Sequence, residues 1–133
     1  MQNYKEAILD FNKAIELNPK YTDAFYNRAI TKKILKDYNS SLKDFNKAIE
    51  LSPEDADANY NRGVIKKNLK DYSGALKDFN KVIDITPTDY NAYYDRGIVK
   101  ISLRDTKGGC LDLHKAIELG YVDIFDAIKK FCY

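Results

Sequence analysis

Three prolines, Pro19, Pro53 and Pro87, stand 34 residues apart, and each closes a near-copy of one phrase: NKAIELNP, NKAIELSP and NKVIDITP. A fixed period of this length constrains the fold more than composition does, because each repeat must be one supersecondary unit whose apolar face is covered by its neighbours. The period runs well beyond the prolines. Tyr4, Tyr38 and Tyr72 are in phase, as are Phe11, Phe45 and Phe79, Asp10, Asp44, Asp78 and Asp112, and Arg28, Arg62 and Arg96.

Within each period, apolar residues recur at helical spacing in two stretches separated by a short polar turn, so each unit reads as a helical hairpin. The spacing predicts helices over residues 4–18, 22–35, 38–51, 56–69, 72–85, 90–103, 107–119 and 122–131. Asp37, Asp71 and Asp105 precede the second helix of each hairpin, where a carboxylate accepts from unpaired N–H groups of the first turn. Asn3 occupies the same phase ahead of the first helix. The prolines follow each second helix, where a residue without an N–H stops it.

Small residues recur where paired helices must approach: Ala29, Gly63 and Gly97 on first helices, and Ala7, Ser41, Ala75 and Gly109 on second helices. Glycine inside a helix costs about 1 kcal/mol against alanine, so its recurrence at one phase implies close backbone packing. Tyr38, Phe45, Tyr72 and Phe79 are then core aromatics around the crossing rather than a cofactor box.

Composition narrows the classes. Hydrophobic residues make up 44% and charged residues 32%, which suits a soluble chain with a core. The net charge of +2 comes from 22 basic and 20 acidic residues scattered together, which argues against nucleic-acid and membrane-surface partners. No apolar run reaches the roughly 20 residues needed to span a bilayer, and the stretch from Met1 to Asp10 lacks a signal-peptide core; the expected location is cytoplasmic. Cys110 and Cys132 are too few for a disulfide framework. Cys110 is expected to replace an aliphatic core residue, and Cys132 to be an exposed thiol at a frayed end.

The pattern of small residue, tyrosine, alanine, phenylalanine and terminal proline at this period resembles the tetratricopeptide repeat, across nearly the whole chain. The clearest phrase is NRGVIKKNLKDYSGALKDFNKVIDITP. Phe25, Asn59 and Tyr93 stand where the family often has tryptophan, and the arginine column stands where it often has leucine. The fourth unit decays, with Thr106 for tyrosine, Gly109 for alanine, Leu113 for phenylalanine and Tyr121 for proline. The resemblance implies an all-α fold: a right-handed superhelical solenoid of antiparallel helix hairpins with about eight helices. Its expected division is a half repeat over 1–21, repeats over 22–55 and 56–89, a degenerate repeat over 90–121 and a capping helix over 122–133.

Residues 4–19 match only the second helix of a unit, so the chain reads as starting in mid-repeat. Two explanations compete: a segment cut from a longer protein, which is preferred, or a native end in which this helix acts as a cap. Either leaves Tyr4, Ala7, Ile8 and Phe11 short of cover, exposed or buried by a second copy of the chain.

In the resembled family the first helices line a concave surface that binds peptides or helices of partner proteins, which makes a protein-binding scaffold the expected function. Mapped by phase, that surface carries Asp23, Asp57 and Asn91, then Tyr26, Tyr60 and Tyr94, then Asn27, Asn61 and Asp95, then Ile30, Val64 and Ile98, with Lys33, Lys67 and Ile101 beyond. Asparagine amides suit a peptide main chain, and tyrosines give rigid amphipathic contact. Self-assembly through the half repeat and a role as regulatory appendage of a larger enzyme are the alternatives. One subclass of the family grips the C-terminal carboxylate of heat-shock chaperones. Asn61 matches its central asparagine, but Tyr26 and Ile30 replace its lysine and asparagine, and Asn91 and Asp95 replace its lysine and arginine, which argues against that ligand.

The arginine column has a structural explanation: each guanidinium is expected to pair with Asp44, Asp78 or Asp112 of its own or the preceding unit. No phosphate loop, nucleophile elbow or zinc-protease helix occurs, so no catalytic residue and no cofactor is expected. His114 is the only histidine and is expected to face solvent. Cys110, His114 and Cys132 are the one conceivable metal set, and no metal is expected there.

Overall fold

The computed structural model describes residues 2–133 as eight α-helices. They are α1 (Gln2–Leu17), α2 (Thr22–Ile34), α3 (Tyr38–Leu51), α4 (Ala56–Asn68), α5 (Tyr72–Ile85), α6 (Tyr90–Ser102), α7 (Thr106–Glu118) and α8 (Phe125–Cys132). No strand occurs among the described residues. This is the all-α helical-repeat fold that the period implies. The middle helices fall within a residue of their predicted limits. The ends differ more, because α1 begins at Gln2 and α8 only at Phe125. Asn3 therefore lies inside α1 and does not cap it.

The turn inside each hairpin is the same two-residue device. Lys36 takes a left-handed conformation (φ 61°), as do Lys70 (63°) and Arg104 (69°). That geometry sends the Lys36 N–H to the Lys33 carbonyl and the Asp37 N–H to the Lys32 carbonyl, both at 2.9 Å, which closes the end of α2. Asp37 then starts the next helix, its carboxylate accepting from the Ser40 N–H at 3.3 Å. Asp71 and Asp105 do the same for the N–H groups of Gly74 and Gly108, at 3.0 and 2.9 Å. One aspartate thus ends one helix and opens another, as its phase predicts. The caps of α4 and α6 are a further set: Asp55 accepts from the Ala58 N–H and Asp89 from those of Asn91 and Ala92. Position 21, in phase with these, is a tyrosine, and α2 has no side-chain cap.

The chain divides into two compact units, residues 1–65 and 66–133, with the boundary inside α4. In the first, Ala29, Phe45, Ala58 and Ile65 are fully buried, with Tyr26, Ile30, Tyr38, Leu42 and Ile49 packed around them. In the second, Leu113, Ala116, Ile124 and Ile128 form the centre, flanked by Tyr93, Tyr94, Ile98, Ile101 and Tyr121. Phe45 and Phe79 are completely buried, while Tyr38 and Tyr72 are half-buried, so these four aromatics belong to the core.

Close approach within the hairpins is direct. The Ser41 hydroxyl donates to the Ala29 carbonyl at 2.6 Å. A methyl group added at Gly97 would lie 2.9 Å from the Gly109 carbonyl oxygen, and one added at Gly109 would lie 2.7 Å from that of Gly97. α6 and α7 therefore touch backbone to backbone.

The cysteines overturn their sequence-based reading. Cys110 of α7 and Cys132 of α8 form a disulfide across 22 residues of chain. After α7 the backbone reverses at Gly120 (φ 107°), and α8 returns along α7, so two thiols expected in unrelated settings meet. Cys132 is not an exposed thiol, and both sulfurs are taken from any metal set. His114 is exposed, as expected.

The Gly97–Gly109 contact makes a specific forecast. Gly109→Ala gains helix propensity but forces α6 and α7 apart, and is expected to destabilise the chain by about 1–3 kcal/mol. A lower denaturant midpoint at unchanged m-value would register it.

Candidate functional site

The side chains that set helix register are the in-phase arginines and aspartates. Arg28 on α2 donates from Nε and Nη2 to Asp44 on α3 at 2.8 and 2.6 Å, a two-pronged contact that suits a planar guanidinium. Its Nη1 reaches back to the Asn12 side chain of α1 at 2.7 Å. Arg96 repeats this with Asp112 at 2.8 and 2.7 Å and with Asn80 at 3.0 Å. Arg62 donates to Asn46 at 3.0 Å. The expected pairing with the hairpin's own aspartate holds for Arg28 and Arg96. Hydrogen bonding to Asp112 raises the Arg96 pKa further, against the opposing effect of burial.

Each aspartate also takes a lysine four residues beyond the arginine: Lys32 on Asp44 at 2.8 Å, Lys66 on Asp78 at 3.1 Å and Lys100 on Asp112 at 2.8 Å. The lysines and the asparagines Asn12, Asn46 and Asn80 have the same period as the arginines. Sequence reading missed them because polar residues on helices pass for solvated faces.

The predicted binding residues fall on two faces. In the first unit, α2 carries Asp23, Tyr26, Asn27, Ile30 and Lys33, and α4 carries Asp57, Tyr60, Asn61 and Val64. Asp23, Asn27 and Asp57 are exposed and the other six are half-buried. Four of them join in one chain: Lys33 Nζ donates to Asn61 Oδ1 at 2.7 Å, and Asn61 Nδ2 donates to the Asp57 carbonyl at 2.9 Å and to the Tyr26 hydroxyl at 3.4 Å. The Tyr26 ring rests edge-on against Phe45, 5.8 Å between centroids. Burial raises the Tyr26 pKa, with the charges of Asp57 and Asp55 adding to it, and burial lowers that of Lys33. Lys33 faces a neutral amide, which does nothing to offset its desolvation.

In the second unit Lys67 donates to Asp95 at 2.6 Å, one period after Lys33 and Asn61. Asp95 is buried (5% exposed), so its carboxylate serves this ion pair rather than an open surface. Asn91 is exposed, and Tyr94 and Ile98 are half-buried. Tyr94 stacks on Tyr121, 4.9 Å between centroids and 6° from parallel, and Tyr90 meets Tyr121 edge-on at 5.5 Å. A cleft of about 260 Å³ opens there, lined by Tyr90, Asn91, Gly120, Tyr121, Val122 and Asp123. Burial raises the Tyr121 pKa, with smaller contributions from Tyr94 and Asp95. Of the lining residues only Asn91 is among those mapped by phase. The signal for Tyr121 was its replacement of the in-phase proline.

Among the described residues no group of three or more histidine, cysteine, aspartate or glutamate side chains is placed to hold a metal ion, and no helix is long and apolar enough to cross a membrane.

Comparison with known proteins agrees with these helical hairpins. One family model, described as TPR repeat, matches residues 1–33 and 34–70, and a second, described as Tetratricopeptide repeat, matches residues 56–89. The chain belongs to the tetratricopeptide-repeat family. No curated protein sequence matches it. Among solved structures it is similar to MamA (41-end) from Desulfovibrio magneticus RS-1, at 25% identity and a TM-score of 0.84 over 88% of this chain. The chain spans 66% of that MamA chain's length. A MamA double mutant, RS-1 ArsTM, gives 25% identity and a TM-score of 0.85 with the same coverage. The first TPR of Spaghetti (RPAP3), bound to the HSP90 peptide SRMEEVD, matches with a TM-score of 0.79 at 17% identity over 84% of this chain and 90% of its own.

The arginine and aspartate pairing is testable by truncation. Asp112→Ala leaves Arg96 and Lys100 partly buried without their acceptor, and a loss of about 3 kcal/mol is expected in urea unfolding. Asp112→Asn, which keeps one acceptor oxygen, is expected to lose less.

Proposed function

We propose that this chain binds an extended segment of a partner protein on the faces of its first-type helices. In the first unit that face is α2 and α4, with Tyr26, Asn27, Ile30, Tyr60 and Val64 around Asn61. The second unit carries a like face of its own on α6, with Asn91, Tyr94 and Ile98. The observation that carries this reading is the linked set of Lys33, Asn61 and Tyr26, which holds amphipathic and amide groups in one arrangement before any ligand arrives. Side chains already ordered lose less entropy on binding. The fold supports the same class of role, and the RPAP3 repeat domain of similar fold is bound to a peptide.

The ligand chemistry differs from that of the RPAP3 complex. SRMEEVD ends in acidic residues and a carboxylate. In the first unit Asp23 and Asp57 line the face and are exposed and Lys33 is engaged by Asn61; in the second, Lys67 is neutralised by Asp95. The surface accordingly favours a segment that offers main-chain donors and acceptors with apolar or basic side chains.

A display library of random dodecamers panned on the full chain is the direct test. Selected peptides are expected to lose about tenfold in affinity on Asn61→Ala or Tyr60→Ala, one unpaired amide or one aromatic contact each. SRMEEVD is expected to show no saturable binding. Peptides that bind both variants as tightly as the parent chain would place the site elsewhere and sink the reading.

A further inference from the structure

Two departures from the repeat meet in the second unit. Tyr121 stands in phase with Pro19, Pro53 and Pro87, and Tyr90 in phase with Thr22 and Ala56. Both rings line the cleft of about 260 Å³ at the start of α6, their centroids 5.5 Å apart and their planes at 70°. Tyr94 stacks on Tyr121 and holds that ring in place. Asp123 lines the same cleft. Its in-phase counterparts, Asp55 and Asp89, use their carboxylates to cap α4 and α6. α8 starts only at Phe125, with Ile124 at its N-cap and no side-chain cap, so Asp123 is released from that duty. It is exposed and makes no hydrogen bond or ion pair among the described residues.

Each of these groups asks for positive charge in the occupant. The face of a tyrosine ring is negative and attracts a cation that has shed part of its water. Asp123 offers an unengaged carboxylate beside two such rings, and among the described residues no lysine, arginine or histidine lines the cleft. Burial raises the Tyr121 pKa, and Tyr94 and then the charges of Asp95 and Asp123 add to it, so the potential at this ring is negative. The N-terminus of α6 would by itself favour an anion. Its Asn91 and Ala92 N–H groups are already taken by the Asp89 carboxylate, which cancels that preference and adds another negative charge. We propose that this cleft binds an organic ammonium ion, methylated or primary, with the carbon shell of the cation against Tyr90 and Tyr121 and its charge beside Asp123. A metal ion is a poorer occupant, because one carboxylate among aromatic rings supplies too few oxygen ligands. The site lies within the second unit and stands whether or not the α2 and α4 face binds a peptide.

The test is an NMR titration of the isotope-labelled full chain with choline, with the carbon isostere of choline in which a tert-butyl group replaces trimethylammonium, and with Nα-acetyl-lysine methylamide. Saturable shifts of the Asn91, Gly120 and Tyr121 amide signals are expected with choline or the lysine derivative, and binding of the uncharged isostere is expected to be about fivefold weaker or less. Tighter choline would mark a free small cation as the occupant, and a tighter lysine derivative would mark a lysine side chain of a protein partner; both bear the site out. Tyr90→Leu keeps apolar bulk at a position where the other repeats carry no aromatic residue, and Asp123→Asn keeps shape while removing charge. Each is expected to weaken binding about fivefold and to leave signals remote from the cleft unmoved, which separates the effect from unfolding. No saturation by about 100 mM of either ammonium probe, equal binding of the carbon isostere, or parent-like affinity in either variant would overturn the proposal. Dodecamer binding depends on Tyr60 and Asn61 of the first unit, so the two sites stand or fall separately.

Discussion

A carboxylate with almost no access to water sits inside the hairpins, and the packing around it depends on how it is answered. The side chains of Asp44 and Asp112 are 5% and 7% exposed. Removing such a group from water is costly unless its lone pairs are filled. Here they are filled by a planar guanidinium fork and an ammonium from the same first helix. No buried side-chain nitrogen or oxygen among the described residues lacks a partner. The fork has directional demands that apolar packing lacks, so α2 and α3, or α6 and α7, meet in one register. The remaining guanidinium nitrogen reaches the asparagine of the helix before, which extends the alignment from within a hairpin to its neighbour.

The same economy shapes the faces offered to a ligand. Residues that the repeat phase places along this surface turn out to be partly committed to one another: Lys33 to Asn61, and Lys67 to the buried Asp95. What is exposed is two asparagines, Asn27 and Asn91, and two aspartates, Asp23 and Asp57, beside half-buried tyrosine and aliphatic side chains. Such a face is ordered and its cations are quenched. On the proposed binding role it would read shape and main-chain polarity more than net charge.

Much of this was legible in the sequence because the signals are local and repeated. Helix limits follow from apolar spacing, the prolines and the capping aspartates, each of which acts within one turn of where it stands. The pairing of Arg28 with Asp44 was readable because both recur with one period. Lys32 and Asn12 recur as faithfully, yet nothing in a single chain distinguishes a lysine that folds inward from one that faces water. The disulfide was illegible for a different reason. It depends on the reversal at Gly120 that brings α8 back along α7, a long-range event in the one part of the chain where the period has decayed. The burial of Asp95 was hidden likewise, since its partner Lys67 lies 28 residues away on another helix.

The backward reach of each arginine has a consequence for how chains of this kind change length. Arg28 to Asn12, Arg62 to Asn46 and Arg96 to Asn80 are each separated by 16 residues, so every link joins one repeat to the one before in identical fashion. Duplicating or deleting a whole 34-residue block would hand each arginine an equivalent asparagine and each aspartate an equivalent fork. A block one residue short within a helix would turn every following side chain by about 100° and strand them all. Growth by whole repeats is therefore nearly silent to the bonding, whereas the smallest slip inside a helix is not.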